Sequence, residues 1–174
     1  RDVIFPDLSW TYEHCFPSVQ AVALTADFDL DVDAILAAVD ARIASDPSWR
    51  NHGAVALNNP HNATGRVFNL DGMRRLVQGL LIRNVCILDD LSYQNVAPVD
   101  GLPDIPHIRS IADALVDTGA VLKSQGDLVI TAHSLSKTDC MAGARLSVVE
   151  IRSPELRERF DTVNAVIRPN TGAL

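Results

Sequence analysis

The amino-acid sequence predicts an α/β protein, a three-layer α/β/α arrangement built on a mainly parallel sheet. Three observations point there. Short apolar runs alternate with amphipathic stretches along the chain, the pattern of strands joined by helical crossovers. Polar, glycine-bearing stretches follow the strand candidates, where loops at the carboxyl ends of a parallel sheet line a ligand crevice. The 174 residues, 47% hydrophobic and 21% charged, suffice to bury one core, which sets aside disorder as the dominant state.

Taken in order, the strand candidates are Val3 to Phe5, Val19 to Leu24, Ala54 to Leu57, Val85 to Leu88, Leu128 to Thr131 and Leu146 to Ile151. Helices fill the intervals. Asp33 to Ala44 sets Ile35, Leu36, Val39 and Ile43 on one face, with Asp31 as the expected cap. From Asp71 onward Met73, Leu76, Val77, Leu80 and Leu81 recur at helical spacing, and Ile108, Ile111, Ala112, Leu115 and Val116 do so after His107. Ser153-Pro154-Glu155 is a helix start, with a cap, a proline in the first turn and an acid at the positive end of the dipole. There is no internal repeat, low-complexity segment or linker.

The net charge of −7 argues against a nucleic-acid backbone or an anionic membrane as the main partner. No apolar run is long enough to span a bilayer, and the first ten residues lack the apolar centre of a signal peptide. Cys15, Cys86 and Cys140 are far apart and odd in number, so a reducing, cytoplasmic setting is expected.

Chemistry should reside in three stretches. The first is Asn58-Asn59-Pro60-His61-Asn62-Ala63-Thr64-Gly65. Asp89-Asp90-Leu91-Ser92-Tyr93 opens the second, and Ser134-Leu135-Ser136-Lys137 the third, followed by Gly143-Ala144-Arg145. Singly each is weak, since an Asn-Pro-Gly loop is usually only a turn. Their order carries more: an Asn after one strand, an Asp and a Tyr three apart after the next, then a Lys flanked by Ser and followed by Arg.

In that order the chain resembles the class I/II aminotransferases of the pyridoxal-phosphate-dependent fold type I, and the resemblance covers nearly its whole length. It implies part of the large cofactor-binding domain across residues 1–174, with a seven-stranded mixed sheet whose last strand here is antiparallel. The cofactor implied is pyridoxal 5'-phosphate, and the activity is amino-group transfer between an amino acid and a 2-oxo acid in a homodimer. Lys137 matches the lysine that forms the Schiff base with the cofactor aldehyde and shuttles the proton; a primary amine is needed for both. Asp90 matches the acid that keeps the ring nitrogen protonated, with Asp89 as the competing candidate; the three-residue interval to Tyr93 selects Asp90. Tyr93 and Asn62 match the donors to the phenolic oxygen. Ser134 and Arg145 match the phosphate ligands, with Ser136 secondary, and arginine's planar fork suits two oxygens at once. Trp10 matches the aromatic that stacks on the ring, with Tyr12 as the alternative.

Several positions depart from that pattern. Ala63 stands where a proline is common and Ser147 where a glycine is common. The glycine-containing phosphate loop, the first part of the large domain and the small domain lie outside the match, so the chain is expected to be an internal piece of a longer protein. A lyase, decarboxylase or oxidase of the same fold type would share these residues, and a non-catalytic aminotransferase-like regulator fused to a DNA-binding module is a third reading. Asp27, Asp29, Asp31 and Asp33 alternate as in a calcium loop, but Val32 and Ala38 occupy its glycine and bidentate-glutamate positions. The five histidines lack zinc-site spacing, so no metal site is expected. His61 and His133 are satisfied loop histidines in this reading, and Cys140 is expected as a small buried apolar residue.

Overall fold

The computed structural model describes residues 2–9, 12–94, 105–144 and 147–167. Their strands are β1 (Asp2–Pro6), β2 (Ser18–Val22), β3 (Ala54–Asn58), β4 (Cys86–Asp90), β5 (Val129–Ser134) and β6 (Ser147–Ile151). They form one sheet in the order β2-β1-β3-β4-β5-β6, in which only β6 runs antiparallel to its neighbour. The mainly parallel sheet and the antiparallel last strand are as expected. Six strands lie among the described residues, where the resemblance implies seven in the complete sheet.

The helices are α1 (Val32–Ser45), α2 (Leu70–Ile82), α3 (Ile108–Asp117), α4 (Lys123–Gly126), α5 (Leu135–Thr138) and α6 (Pro154–Ile167). Asp31 caps α1 as its position predicts, its carboxylate accepting from Ala34 N at 2.9 Å. Asn69 does the same for α2 through Gly72 N at 2.7 Å. Each such cap contributes about 1 kcal/mol. The periodic face of α2 is wholly buried, with Met73, Leu76, Val77, Leu80 and Leu81 all at zero exposure. With α1 and α3 it covers one face of the sheet, built from Ile4, Val55, Leu57, Ile87 and Val129. The opposite face carries a smaller cluster of Val3, Phe5, Tyr12, Ala54 and Ala56, with Phe16, Cys86 and Leu88 packed against it. Among the described residues no helix is long and apolar enough to cross a membrane.

Three boundaries differ from the sequence reading. β3, β4 and β5 run on through Asn58, Asp90 and Ser134, residues assigned by sequence to the loops. The backbone ladder continues because pairing needs only main-chain groups, and Asp89 stays in register with Thr131 and Asp90 with Ala132. At the other edge β2 ends at Val22, and Leu24 packs against the core from outside the strand. Cys140 corrects the expectation of burial: it is exposed in the turn after α5, in the left-handed region at φ 56°. The short helices α4 and α5 carry too few residues for a hydrophobic period to reveal them.

A polar knot closes the amino-terminal end of the sheet. Trp49, 2% exposed, lies in the 3-10 turn Pro47–Asn51 and donates its indole N–H to Asp2 at 3.1 Å. Arg42 reaches the same carboxylate at 3.0 Å. The ring lies flat against Gly53, where a Cβ would fall 2.1 Å from a ring carbon. Gly53→Ala should therefore lower unfolding stability by about 1–3 kcal/mol through overpacking. Urea denaturation measures it, and an unchanged midpoint would show that the indole can move aside.

Candidate active site at the carboxyl ends of the strands

Three adjacent parallel strands end at one level and bring the polar stretches together. Asn58 on β3 is in register with Asp90 on β4, and Asp90 with Ala132 on β5. Side chains alternate along a strand, so Asn58, Asp90 and Ser134 share the face that carries Phe5 and Tyr12.

Asn58 is the tether of this edge. Its side-chain amide donates to the Asp90 carbonyl at 2.8 Å, and its oxygen accepts from Asn62 N at 2.9 Å. One buried side chain thereby fixes the loop carrying Asn62 to the strand carrying Asp90, while the Asn62 side chain stays exposed. Asn59 braces the loop from the other side, accepting from Phe68 N at 2.9 Å and donating to the Pro106 carbonyl at 3.2 Å. Gly65 closes the loop at φ +66°, a conformation that glycine adopts without strain. His61 is buried within it, its Nδ1 bonded to Thr64 at 2.9 Å and its ring 5.4 Å from Phe68. Its Nε2 has no partner among the described residues. Burial lowers its pKa and holds it neutral, so the expectation of a satisfied loop histidine holds at only one of its two nitrogens.

The two consecutive acids of β4 point to opposite faces. Asp90, half-buried, accepts from Ser92 N at 3.0 Å and Ser92 Oγ at 2.5 Å on one oxygen, and from the Tyr12 hydroxyl at 3.0 Å on the other. Burial, then the neighbouring Asp90 charge, push the Tyr12 pKa far up, so its hydroxyl remains a proton donor. Asp90 is therefore an oriented carboxylate with three neutral donors and no ion pair to any described residue. Tyr93 lies half-buried in the turn that follows. Asp89 faces the helices instead, 2% exposed, and meets Thr131 Oγ1 at 3.4 Å. Burial pushes its carboxyl up to about 7, with the Asp90 and Glu150 charges adding to the rise and Thr131 and Arg109 opposing it.

The third strand supplies the rest. Ser134 ends β5 and caps α5, its hydroxyl accepting from Ser136 N at 3.3 Å. Ser136 is half-buried, and one residue on Lys137 is exposed, with no ion pair to a described residue. Ser147, which opens β6, pairs with Ser134. Trp10 and Arg145 lie outside the described residues. Two contributors escape the sequence. Asn58 was legible only as the first residue of a polar stretch, and Tyr12, weighed as a stacking ring, instead places its hydroxyl on an acid 78 positions away. Among the described residues no group of three or more potential ligands is placed to hold a metal.

The family model for class I and II aminotransferases matches residues 3–171. Among solved structures, an aspartate aminotransferase from Rhodobacter sphaeroides is 19% identical with a TM-score of 0.74, over 97% of this chain and 40% of that one. A C-S lyase from Staphylococcus hominis, bound to pyridoxal phosphate, is 22% identical with a TM-score of 0.70, over 93% and 39%. Cystalysin from Treponema denticola, which contains a pyridoxal 5'-phosphate cofactor, is 20% identical with a TM-score of 0.70, over 95% and 39%. At these identities the likeness establishes the fold, and the chain spans about two-fifths of the length of these proteins. A sequence search of curated proteins finds no match.

The Asn58 tether has a measurable weight. Asn58→Ala removes two hydrogen bonds and leaves a half-buried carbonyl and amide without their partner. It should cost about 1–3 kcal/mol of stability and speed amide exchange at Asn62. Hydrogen exchange with mass readout checks both, and unchanged protection at Asn62 would remove Asn58 from this role.

Proposed function

Because the chain belongs to the class I and II aminotransferase family, a pyridoxal-phosphate-dependent family, we propose that it carries the cofactor-facing acid and the lysine of a transaminase acting on an amino acid and a 2-oxo acid. The observation that supports this most is the state of Asp90. A half-buried carboxylate at the carboxyl end of a central parallel strand, oriented by three neutral donors and without a cationic partner among the described residues, suits a protonated ring nitrogen.

When bound, pyridoxal phosphate supplies an aldehyde and an electron-withdrawing ring. In this reading Asp90 holds the ring nitrogen and Tyr12 and Ser92 hold Asp90. Tyr93 and Asn62 donate to the phenolic oxygen, and Asn58 sets the Asn62 backbone against β4. Ser134, Ser136 and Arg145 receive the phosphate. Trp10 stacks on the ring. Lys137 stands in α5, just after Ser134, where its exposed amine would hold the cofactor through its aldehyde and would serve as the base for the substrate Cα proton. The protein works as a cytoplasmic homodimer, completed by parts of the large domain and a small domain beyond these residues.

Product analysis of the full-length enzyme tests the transaminase reading. With a panel of amino acids, turnover should require a 2-oxo acid acceptor and yield the paired amino acid. Turnover without acceptor, releasing ammonia or a thiol, would replace transamination by lyase chemistry on the same residues. Lys137→Ala should lower turnover by about 10²–10⁴-fold or more, since it removes the proton carrier as well as the nucleophile. Asp90→Asn should impair the enzyme far more than Asp89→Asn, and the reverse ranking would give the role to Asp89.

A further inference from the structure

We propose that Asp89 is a resident protonated acid in mildly acidic solution, held behind Asp90 on the helix-covered side of β4, and that losing its proton as the solution nears neutrality is a pH-sensitive switch on the stability of that strand end. The mechanism described above uses Asp90 and leaves Asp89 without a task, although it is one of the most deeply buried acids of the described chain.

Among the described residues no cation bonds it, and Arg109 opposes its rise only from a distance. Asp89, Thr131 and Glu150 stand in register across β4, β5 and β6 on one face. Arg109 reaches over from α3, but its terminal nitrogens donate to the carbonyls of Gly126 at 3.1 Å and Val129 at 2.5 Å. Its Nε lies 3.6 Å from Glu150. Arg152 bonds Glu150 at 2.6 Å and Asp113 at 2.7 Å. Two arginines thus face two carboxylates, and the cluster is neutral before Asp89 is counted. His133 lies two residues beyond Thr131 on the same face of β5, Asp90 is the neighbour along β4, and the buried residues of α2 are all apolar. One Asp89 oxygen has no hydrogen-bond partner among the described residues, and the other has only the long contact to Thr131. A carboxylate in a dry site with neither a bonded cation nor a full complement of donors is costly, and a bound proton removes the charge.

The sign of the linkage follows. An unfolded aspartate releases its proton near pH 4. The folded chain keeps it to about 7, so over that window the folded state holds more protons and its stability falls as pH rises. Above the folded value both states are ionised and the loss levels off. Asp89→Asn keeps the shape, carries no titrating proton and escapes this loss.

The test uses the full-length protein without cofactor, so it stands apart from the reading of Asp90. The melting temperature of Asp89→Asn minus that of the wild type should grow by several degrees between pH 4 and pH 7 and stay level above. The Asp89 carboxyl carbon, followed by NMR in the wild type, should titrate near pH 7. A carboxyl that titrates near pH 4, or a melting difference constant across the window, would overturn the proposal. Should the variant not fold, the wild-type titration alone decides.

Discussion

The parallel register of β3, β4 and β5 is the constraint on which the rest of the site depends. It sets Asn58, Asp90 and Ala132 in one row, so three stretches far apart in sequence reach a common edge at the same height. The Asn58 side chain then converts register into geometry, joining the Asp90 carbonyl to the Asn62 amide. A shift of one residue in β4 would exchange the faces of Asp89 and Asp90 and bury Asp90 in place of Asp89. What enforces the register is apolar: Val55, Leu57 and Ile87 face α1, α2 and α3, while Ala54, Ala56 and Leu88 face the Phe5 and Tyr12 cluster.

The same strand gives two aspartates opposite characters. Asp90 meets a hydroxyl, a second hydroxyl and a backbone N–H, a set of neutral donors that orients a carboxylate without cancelling its charge. Asp89, one residue earlier, meets one distant hydroxyl and a cluster whose charges are already matched. Adjacent carboxylates repel when both are ionised, so a neutral Asp89 leaves Asp90 as the only anion of the pair.

Much of the fold was legible in the sequence because its signals are local. The α2 period, the Asp31 cap and the apolar runs of the strands each depend on residues within a few positions. The order of the three polar stretches was legible for the same reason. Strand ends were not, since Asp89, Asp90 and Ser134 read as loop by composition, yet the ladder with neighbouring strands carries them into the sheet. Nor could local pattern reveal the Tyr12 hydroxyl on Asp90 or the two-way bond of Asn58, both of which arise only when distant segments meet. The Gly53 contact with Trp49 is likewise a matter of packing, invisible until the turn and the strand are placed together.

We propose that Lys137 is the residue to which the cofactor bonds. The most direct measurement is borohydride reduction of the full-length, cofactor-loaded protein, followed by proteolysis and mass spectrometry of the modified peptide. A single phosphopyridoxyl adduct on Lys137 is expected, with loss of visible absorbance on reduction. Label on Lys123 or another amine, or a protein that takes up no cofactor, would contradict it.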